Sequence, residues 1–356
     1  MLKIVNKKSL AVVLLAVGLA LTVFSLSGGA RTKVATPAAA PLDRLPPSDL
    51  VAFVNVKQLI TEAAPKVFAE HPEKLAEFNA ELDGFKTKTG IDARSFESIA
   101  VGMRYQNPSA GVTTADTVVV AQGTFNAGAL VAAGRLVAQG KYQEQKYKDA
   151  TIYVFSVNDH VSLPGLMNMR VGQLAVTTLD ANTLALGELP AVRATLDARG
   201  ARATAANAAL VKLAMRQPNA LMGFGANVPP SLSQGINIPN EEISRLIASI
   251  RQAYGSVGTT SNGFDLMAIA RTEKADDAKS LSETLTALKQ FGSVVAGQLP
   301  AEQSKLAQSA LDTMKISAEG NETSISFQLQ QSDISTLLRI LKPKTQSPEP
   351  KTQNPE

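Results

Sequence analysis

Histidine and cysteine supply most protein metal sites and many nucleophilic centres, and this chain contains few of them. His71 and His160 are its two histidines, and it has no cysteine. Because a zinc site needs three or four ligands with supporting hydrogen bonds, two histidines far apart in sequence do not form one alone. The lack of cysteine also excludes disulfides, thiolate catalysis and lipidation of an N-terminal cysteine. The sequence therefore predicts no metal site and no cofactor, and it places both histidines in loops.

Short motifs for nucleophilic or phosphate-binding chemistry are also missing from the sequence. It contains no G-x-S-x-G elbow, no S-x-x-K motif and no Walker A loop. Ser304 and Lys305 are adjacent, but the helical pattern around them predicts an exposed surface rather than a catalytic dyad. Gly223 and Gly225 supply two glycines of a dinucleotide fingerprint without the third, so close backbone packing in a strand is the favoured interpretation. We predict no catalytic residue and expect that the protein is not an enzyme.

Two acidic pairs are candidates for general acid–base chemistry, which needs carboxylates placed near the reacting group. Glu241–Glu242 and Asp276–Asp277 each open a predicted helix. Because the helix dipole stabilises negative charge in the first turn, we expect both pairs to act as helix caps. Carboxylates that only folding brings together would escape this reasoning, so a hydrolase without a recognisable motif stays as an alternative.

The formal net charge of +4 lies mainly at the two ends of the chain. Nine of the 35 basic residues, but only three of the 31 acidic ones, lie within residues 1–47 and 342–356. The remaining body is nearly neutral and has no stripe of lysine and arginine. A nucleic-acid-binding surface needs such a stripe to neutralise phosphates, so we exclude a nucleic-acid partner.

The N-terminal segment predicts export from the cytoplasm. Three lysines in residues 1–8 precede Leu10 to Leu26, which carry no charge and would form about 25 Å of helix. This length lies between that of a secretory signal and that of a membrane span, so an uncleaved anchor and a signal peptide cleaved near Ala30 both stay open. The lysines place the N-terminus in the cytoplasm and the body outside it, in the periplasm. We therefore expect membrane contact through Leu10 to Leu26, or secretion after cleavage.

Composition and periodicity divide the chain into five segments. They are a signal or anchor (1–30), an Ala/Pro-rich linker (31–47), a first α+β repeat (48–204), a second α+β repeat (205–341) and a disordered Pro-rich tail (342–356). Both repeats read as strand, helix, two strands, helix, strand hairpin and helix. We predict an α+β fold of two pattern-related repeats, each a mostly antiparallel sheet with helices packed on it.

Some local predictions set the boundaries of elements within these repeats. Residues 241–253 have apolar side chains at helical spacing and predict one helix, followed by a strand at 256–260. Residues 147–157 predict a single strand, and residues 107–111 predict a loop between two strands. Asn262–Gly263 predicts a tight hairpin turn.

The start of the body carries two features that resemble a known group of proteins. Leu45 to Phe53 (LPPSDLVAF) places prolines and an aspartate before an apolar strand, and Thr89 to Asp92 (TGID) precedes the next strand. Over Leu45 to Phe125 the chain resembles uncharacterised extracytoplasmic proteins, which form domain-of-unknown-function families of Acidobacteria and related bacteria. The resemblance brings no activity, cofactor or catalytic residue.

The function that the sequence favours is that of a non-catalytic envelope protein, membrane-anchored or exported, which acts as a binding or structural module. The alternative is a protein that binds an apolar ligand, such as a lipid, between sheet and helices. The near-neutral body indicates a protein partner or an apolar ligand rather than a polyanion.

Overall fold

The computed structural model describes residues 39–109, 112–161, 169–198, 204–217, 219–230 and 240–340. The strands of these residues are β1 (Leu50–Val54), β2 (Phe96–Ser109), β3 (Val112–Gly123), β4 (Tyr142–Tyr147), β5 (Ala150–Val161), β6 (Met169–Asp180), β7 (Thr183–Gly187), β8 (Met222–Asn227), β9 (Ile250–Thr260), β10 (Gly263–Thr272), β11 (Lys315–Glu319) and β12 (Glu322–Gln330). The helices are α1 (Ala39–Leu42), α2 (Val56–Gln58, the π-helical Leu59–Ala63 and Ala64–Val67 in succession), α3 (Pro72–Thr89), α4 (Ala127–Ala138), α5 (Leu189–Asp197), α6 (Thr204–Ala214), α7 (Glu241–Ser249), α8 (Ala275–Ala296), α9 (Ala301–Thr313) and α10 (Gln331–Ile340). A 3₁₀ turn, Ala93–Ser95, precedes β2.

The strands join in one 12-stranded antiparallel sheet in the order β11-β12-β10-β9-β8-β1-β2-β3-β7-β6-β5-β4. The neighbours β1 and β8 pair in a register that joins Leu50 to Ala226 and Val54 to Met222. Outward from this pair, β2, β3, β7 and β6 stand in the same relative order as β9, β10, β12 and β11 on the other side. The α+β class and the large antiparallel sheet are therefore confirmed. That the two halves are pattern-related repeats stays a prediction. Their strands form one shared sheet rather than one sheet each.

The core lies on both faces of this sheet. In β1, Val51 and Phe53 belong to one buried cluster, whereas Ala52 and Val54 belong to a second. Because successive side chains of a strand point to opposite faces, the two clusters mark the two faces. Helices α1, α5 and α6 contribute to the first cluster, and α2, α4 and α10 contribute to the second.

The helix predicted for residues 241–253 is shorter than its periodicity indicates. Helix α7 ends at Ser249, and Ile250 already has extended backbone angles at the start of β9. Strand β9 pairs with both β8 and β10, so its backbone groups are satisfied on both sides, and Tyr254 is fully buried. Sheet pairing and burial of this ring override the helical pattern.

The strand predicted for residues 147–157 corresponds mainly to β5, while β4, which pairs with β5 in a hairpin, was not predicted. Tyr142 pairs with Phe155 and Tyr147 with Ala150, and Lys148 in the turn has a φ of 52°. The loop predicted for residues 107–111 is also shorter, because β2 and β3 pair as far as Ser109 and Val112. Polar residues at these positions do not predict strands, and the strands form because neighbouring strands of the sheet pair with them.

Several predictions lie outside the described residues. They concern the segment from Leu10 to Leu26, the cleavage site near Ala30, residues 31–38 of the linker and the Pro-rich tail. The rest of the predicted linker, residues 39–47, is not a spacer, because it contains α1 and places Leu42 and Leu45 in the core. Among the residues that the structure does describe, no helix is both long enough and apolar enough to cross a bilayer.

Candidate interaction surface

The α8–α9 hairpin is fixed to the sheet through the first half of α8. Ala278 and Leu281 are buried there, and the Thr323 hydroxyl donates a hydrogen bond of 2.7 Å to the Ala278 carbonyl. Arg245 of α7 lies 3.3 Å from the carboxylate of Asp277. These contacts hold the N-terminal half of α8 against β12 and α7.

The second half of α8 and the turn after it expose a group of apolar side chains, which we name the apolar tip. Its members are Leu288 (49% exposed), Phe291 (66%), Val294 (64%), Val295 (41%) and Leu299 (40%). Leu288, Phe291 and Val295 follow the i, i+3, i+7 spacing and lie on one side of the helix. In the described part of the chain one other large apolar side chain is as exposed, Leu136 of α4. Exposure of large apolar side chains is therefore concentrated at the tip.

The stretch from the end of α8 to the start of α9 carries no charge, and several of its backbone N–H groups are paired internally. Residues 290–301 contain no Asp, Glu, Lys or Arg. The backbone N–H groups of Gly297, Gln298 and Leu299 donate to the carbonyls of Ser293, Val295 and Ala296 at 3.4, 2.9 and 3.2 Å. The next residue, Pro300, has no N–H. The turn therefore pairs the donors that directly follow α8, while the first N–H groups of α9 receive no side-chain cap.

The two helices of the hairpin are held together on the side away from the tip. Gln308 of α9 donates a hydrogen bond of 3.0 Å to the Ser293 carbonyl, and the Leu311 side chain lies beside Gly292. The ammonium of Lys289 donates to the Met314 carbonyl at 2.6 Å, at the end of α9. The charge nearest to the tip on α8 is thereby directed towards the body of the protein.

A second candidate is a polar cluster of Arg216, Tyr254, Arg271 and Glu322 on the sheet. Arg271 donates two hydrogen bonds to Oε1 of Glu322, from Nε at 3.1 Å and from Nη2 at 2.6 Å. Arg216 donates to the Tyr254 hydroxyl and lies 3.3 Å from Oε2 of Glu322. Both guanidinium groups also lie over the Tyr254 ring, with their carbon atoms 5.1 and 5.8 Å from its centre.

The ionisation of this cluster favours a structural role. Burial, together with a hydrogen bond to Glu322, raises the pKa of Tyr254 to about 12, so the phenol keeps its proton. Burial alone would raise the pKa of Glu322, but hydrogen bonds from Arg271 and Tyr254 and the nearby Arg216 lower it. Every charged member has an oppositely charged neighbour in the cluster. The arrangement ties α6 to β9, β10 and β12, and provides neither a general base near neutral pH nor a free cation.

The two histidines do not come together. His71 is the N-cap residue of α3, with Nδ1 3.3 Å from Glu73, so its prediction at a helix start is confirmed. His160 was predicted in a loop, which is wrong, because it lies in β5 opposite Arg170 of β6. Strand β5 continues past an irregularity in its pairing between Ser156 and Asp159. The polar residues in this stretch are more typical of a loop, so the sequence did not predict the strand there. Within the described residues, no three His, Asp or Glu side chains gather as metal ligands.

The acidic pairs lie where the sequence predicts them. Glu241–Glu242 and Asp276–Asp277 occupy the first turns of α7 and α8. Ser304 and Lys305 lie on α9, where Ser304 donates its backbone N–H to the Pro300 carbonyl at 2.8 Å. None of these positions forms a cluster that resembles a catalytic centre.

The glycines of β8 serve helix packing, as predicted. A Cβ at Gly223 would lie 2.3 Å from the Ala214 carbonyl oxygen, and one at Gly225 would lie 2.5 Å from that of Leu210. Both oxygens belong to α6, which crosses β8 at this point. Glycine is needed because the helix backbone approaches the strand directly.

Sequence reasoning missed the apolar tip, although one signal for it is readable. The chain from 290 to 301 has no charged residue and yet contains Gly292, Gly297 and Pro300, which predict a turn rather than a core segment. An uncharged helix end with exposed Phe and Val indicates a contact surface. The polar cluster had no comparable signal, since its members are far apart in sequence.

Comparisons with known proteins give no family for this chain. No protein-family model matches it, and no curated protein matches it. Among solved structures it is similar to two crystal forms of TP0453. Form III has 9% sequence identity and a TM-score of 0.40, over 85% of this chain and 98% of that chain. Form IV has 10% identity and a TM-score of 0.39, over 84% and 96%. These values are too low to transfer any property to this protein.

Proposed function

We propose that this protein is a non-catalytic envelope module, held outside the cytoplasm, that binds an apolar surface through the apolar tip. The carrying observation is the exposure of Leu288, Phe291, Val294, Val295 and Leu299 along α8 and its turn, where residues 290–301 carry no charge. Their exposed apolar area is on the order of 400 Å², a size at which patches on monomeric proteins are often functional. Such a patch is costly in water and is stabilised when a partner covers it.

The sequence supports the extracytoplasmic part of this proposal. The apolar segment from Leu10 to Leu26 follows three lysines, which is typical of export. The linker residues 31–38 would separate the body from the membrane by up to about 25 Å if they are extended. The matching strand order outward from β1 and β8 supports a further part of the proposal, that the halves are pattern-related repeats.

The absence of cysteine from the natural chain allows a direct test. Single cysteines are introduced as Val294→Cys in the tip and as Glu81→Cys on an exposed position of α3, each in the full chain. In purified protein, both should react rapidly with a charged, membrane-impermeant maleimide. In cells whose outer envelope is permeabilised but whose cytoplasmic membrane is intact, the proposal expects Val294→Cys to react at least roughly fivefold more slowly than Glu81→Cys, since a covered tip excludes the reagent.

The Glu81→Cys control distinguishes covering of the apolar tip from the location of the protein in the cell. Glu81→Cys should react in cells whose outer envelope is permeabilised but whose cytoplasmic membrane is intact. If neither cysteine reacts until the cytoplasmic membrane is opened, export is wrong. If both cysteines react at equal rates in these permeabilised cells, the tip is not covered and the proposed binding surface is wrong.

A further inference from the structure

We infer that the surface covered by the apolar tip is the interface of a lipid bilayer, against which the second half of α8 lies with its exposed apolar side. This inference rests on the proposed function and names its partner. A helix end that places apolar side chains about 5–10 Å into the boundary between headgroups and acyl chains binds membranes peripherally. The tip residues Phe291, Val294, Val295 and Leu299 are the side chains that would enter.

Charge distribution favours a bilayer. Moving a charged side chain into the hydrocarbon region is expensive, so segments that enter lipid lack charges. Residues 290–301 have none, and the flanking charges are Lys289 and Glu302. Lys289 is bonded to the Met314 carbonyl and points away from the turn. Glu302 begins α9, which packs on another side of α8 beside Gly292 and Ser293, so α8 can meet the bilayer with its apolar side while Glu302 stays in the headgroup region.

The backbone of the turn is also suited to lipid. Backbone groups that enter a bilayer must be satisfied within the protein, because no water is available to them. The N–H groups of Gly297, Gln298 and Leu299 are bonded internally, and Pro300 has none to satisfy. Ser293 directs its hydroxyl to the Lys289 carbonyl at 3.3 Å. The turn can therefore lose its water without leaving these donors unpaired.

The composition of the tip fits a protein partner less well. Protein interfaces concentrate their binding energy in Trp, Tyr and Arg, and use hydrogen bonds to fix the register. The tip has one Phe among Leu and Val, with Gln290 and Gln298 as its long polar side chains. A bilayer needs no register, so aliphatic side chains and two amides at headgroup depth are sufficient. An N-terminal anchor would add to binding, because tethering raises the effective concentration of the tip at the membrane.

The test uses the full chain reconstituted into vesicles of phosphatidylethanolamine and phosphatidylglycerol. Val294→Cys and Glu81→Cys are each labelled with the fluorophore NBD. We expect NBD at 294 to be quenched by doxyl groups on lipid acyl chains, and to be at least roughly threefold less accessible to iodide than NBD at 81, as expected for a side chain at the acyl boundary. NBD at 81 should be quenched by iodide and not by doxyl lipid.

Matched substitutions assign the effect to the tip. Phe291→Ser in the Val294→Cys background should weaken insertion roughly tenfold, because a large apolar side chain is removed from lipid. Leu136→Ser removes an equally exposed apolar side chain from α4 and should leave insertion unchanged. Because both residues are mostly exposed, melting temperatures should remain near that of the parent, which separates lost insertion from lost folding.

The outcomes distinguish this inference from the proposed function. Iodide access at 294 equal to that at 81 in vesicles overturns the lipid inference. If Val294→Cys is nevertheless protected from maleimide in native envelopes, the binding surface stands and its partner is a protein. Protection from iodide without doxyl quenching indicates a second copy of the chain and also overturns the inference. If Val294→Cys reacts with maleimide in native envelopes and NBD at 294 is accessible to iodide in vesicles, both the binding surface and the lipid inference are wrong.

Discussion

Replacing Gly223 with alanine should destabilise the protein, because α6 crosses β8 closely at this residue. The added Cβ would lie 2.3 Å from the Ala214 carbonyl oxygen and 2.8 Å from Cε1 of Phe53. The first of these atoms is backbone, and the second belongs to a ring that is fully buried. Neither can yield without moving the helix or the core. Overpacking of this kind costs about 1–3 kcal/mol of unfolding free energy.

Thermal unfolding followed by circular dichroism measures this cost. For about 300 ordered residues the unfolding entropy is about 0.6 kcal/mol per kelvin, so a loss of about 2 kcal/mol lowers Tm by about 3 °C. Gly84→Ala is the matched control, since Gly84 lies in α3 with no atom within 4 Å of the added Cβ. There alanine should stabilise the helix by about 0.5–1 kcal/mol. An unchanged Tm for Gly223→Ala would refute the close approach of α6 to β8.

Two further predictions concern polar contacts. The pKa of Glu322 is lowered from its ordinary value of 4.5 by hydrogen bonds that outweigh burial, so its contribution to stability is present above pH 4.5 and is lost as pH falls through the lowered value. Glu322→Gln should therefore reduce stability at pH 7 by about 1–3 kcal/mol and flatten its acid dependence, and a parallel pH profile in urea unfolding would contradict this. Asn207 is buried, accepts from Ser48 N at 2.9 Å and donates to Pro46 O at 2.8 Å. Asn207→Ala should cost about 2–3 kcal/mol in urea unfolding, and an unchanged midpoint would show that these bonds are not needed.

The parts of the fold that local chemistry decides can be read from single residues of the sequence. Gly90 ends α3 in the left-handed conformation with a φ of 73°, and Gly320 turns the last hairpin with a φ of 57°. Asn126 caps α4 by accepting from Ala129 N at 2.9 Å. In each case one residue type satisfies a backbone requirement within a few positions, so no knowledge of distant neighbours is needed.

The errors arose where a distant neighbour decides the structure. Ile250 continues the apolar periodicity of α7, yet it begins β9 because β8 and β10 pair with the residues that follow. Tyr254 is buried beneath Arg216 and Arg271, and none of the three is near another in sequence. Such contacts depend on the order of strands in the sheet. Periodicity within one segment carries no information about that order.

The apolar tip shows why an amphipathic helix can mislead. Apolar residues at helical spacing are ordinarily assigned to the core, and the first half of α8 fits that assignment through Ala278 and Leu281. Beyond Gln290 the helix extends to Ala296 with a second apolar side, and the sheet offers nothing to cover Phe291. A long helix can therefore carry one apolar side for its own core and another for a surface outside the protein. The two sides can be told apart only once the helix is placed on the sheet, so the contact surface cannot be predicted from the sequence alone. The lack of charge in residues 290–301 can be predicted from it.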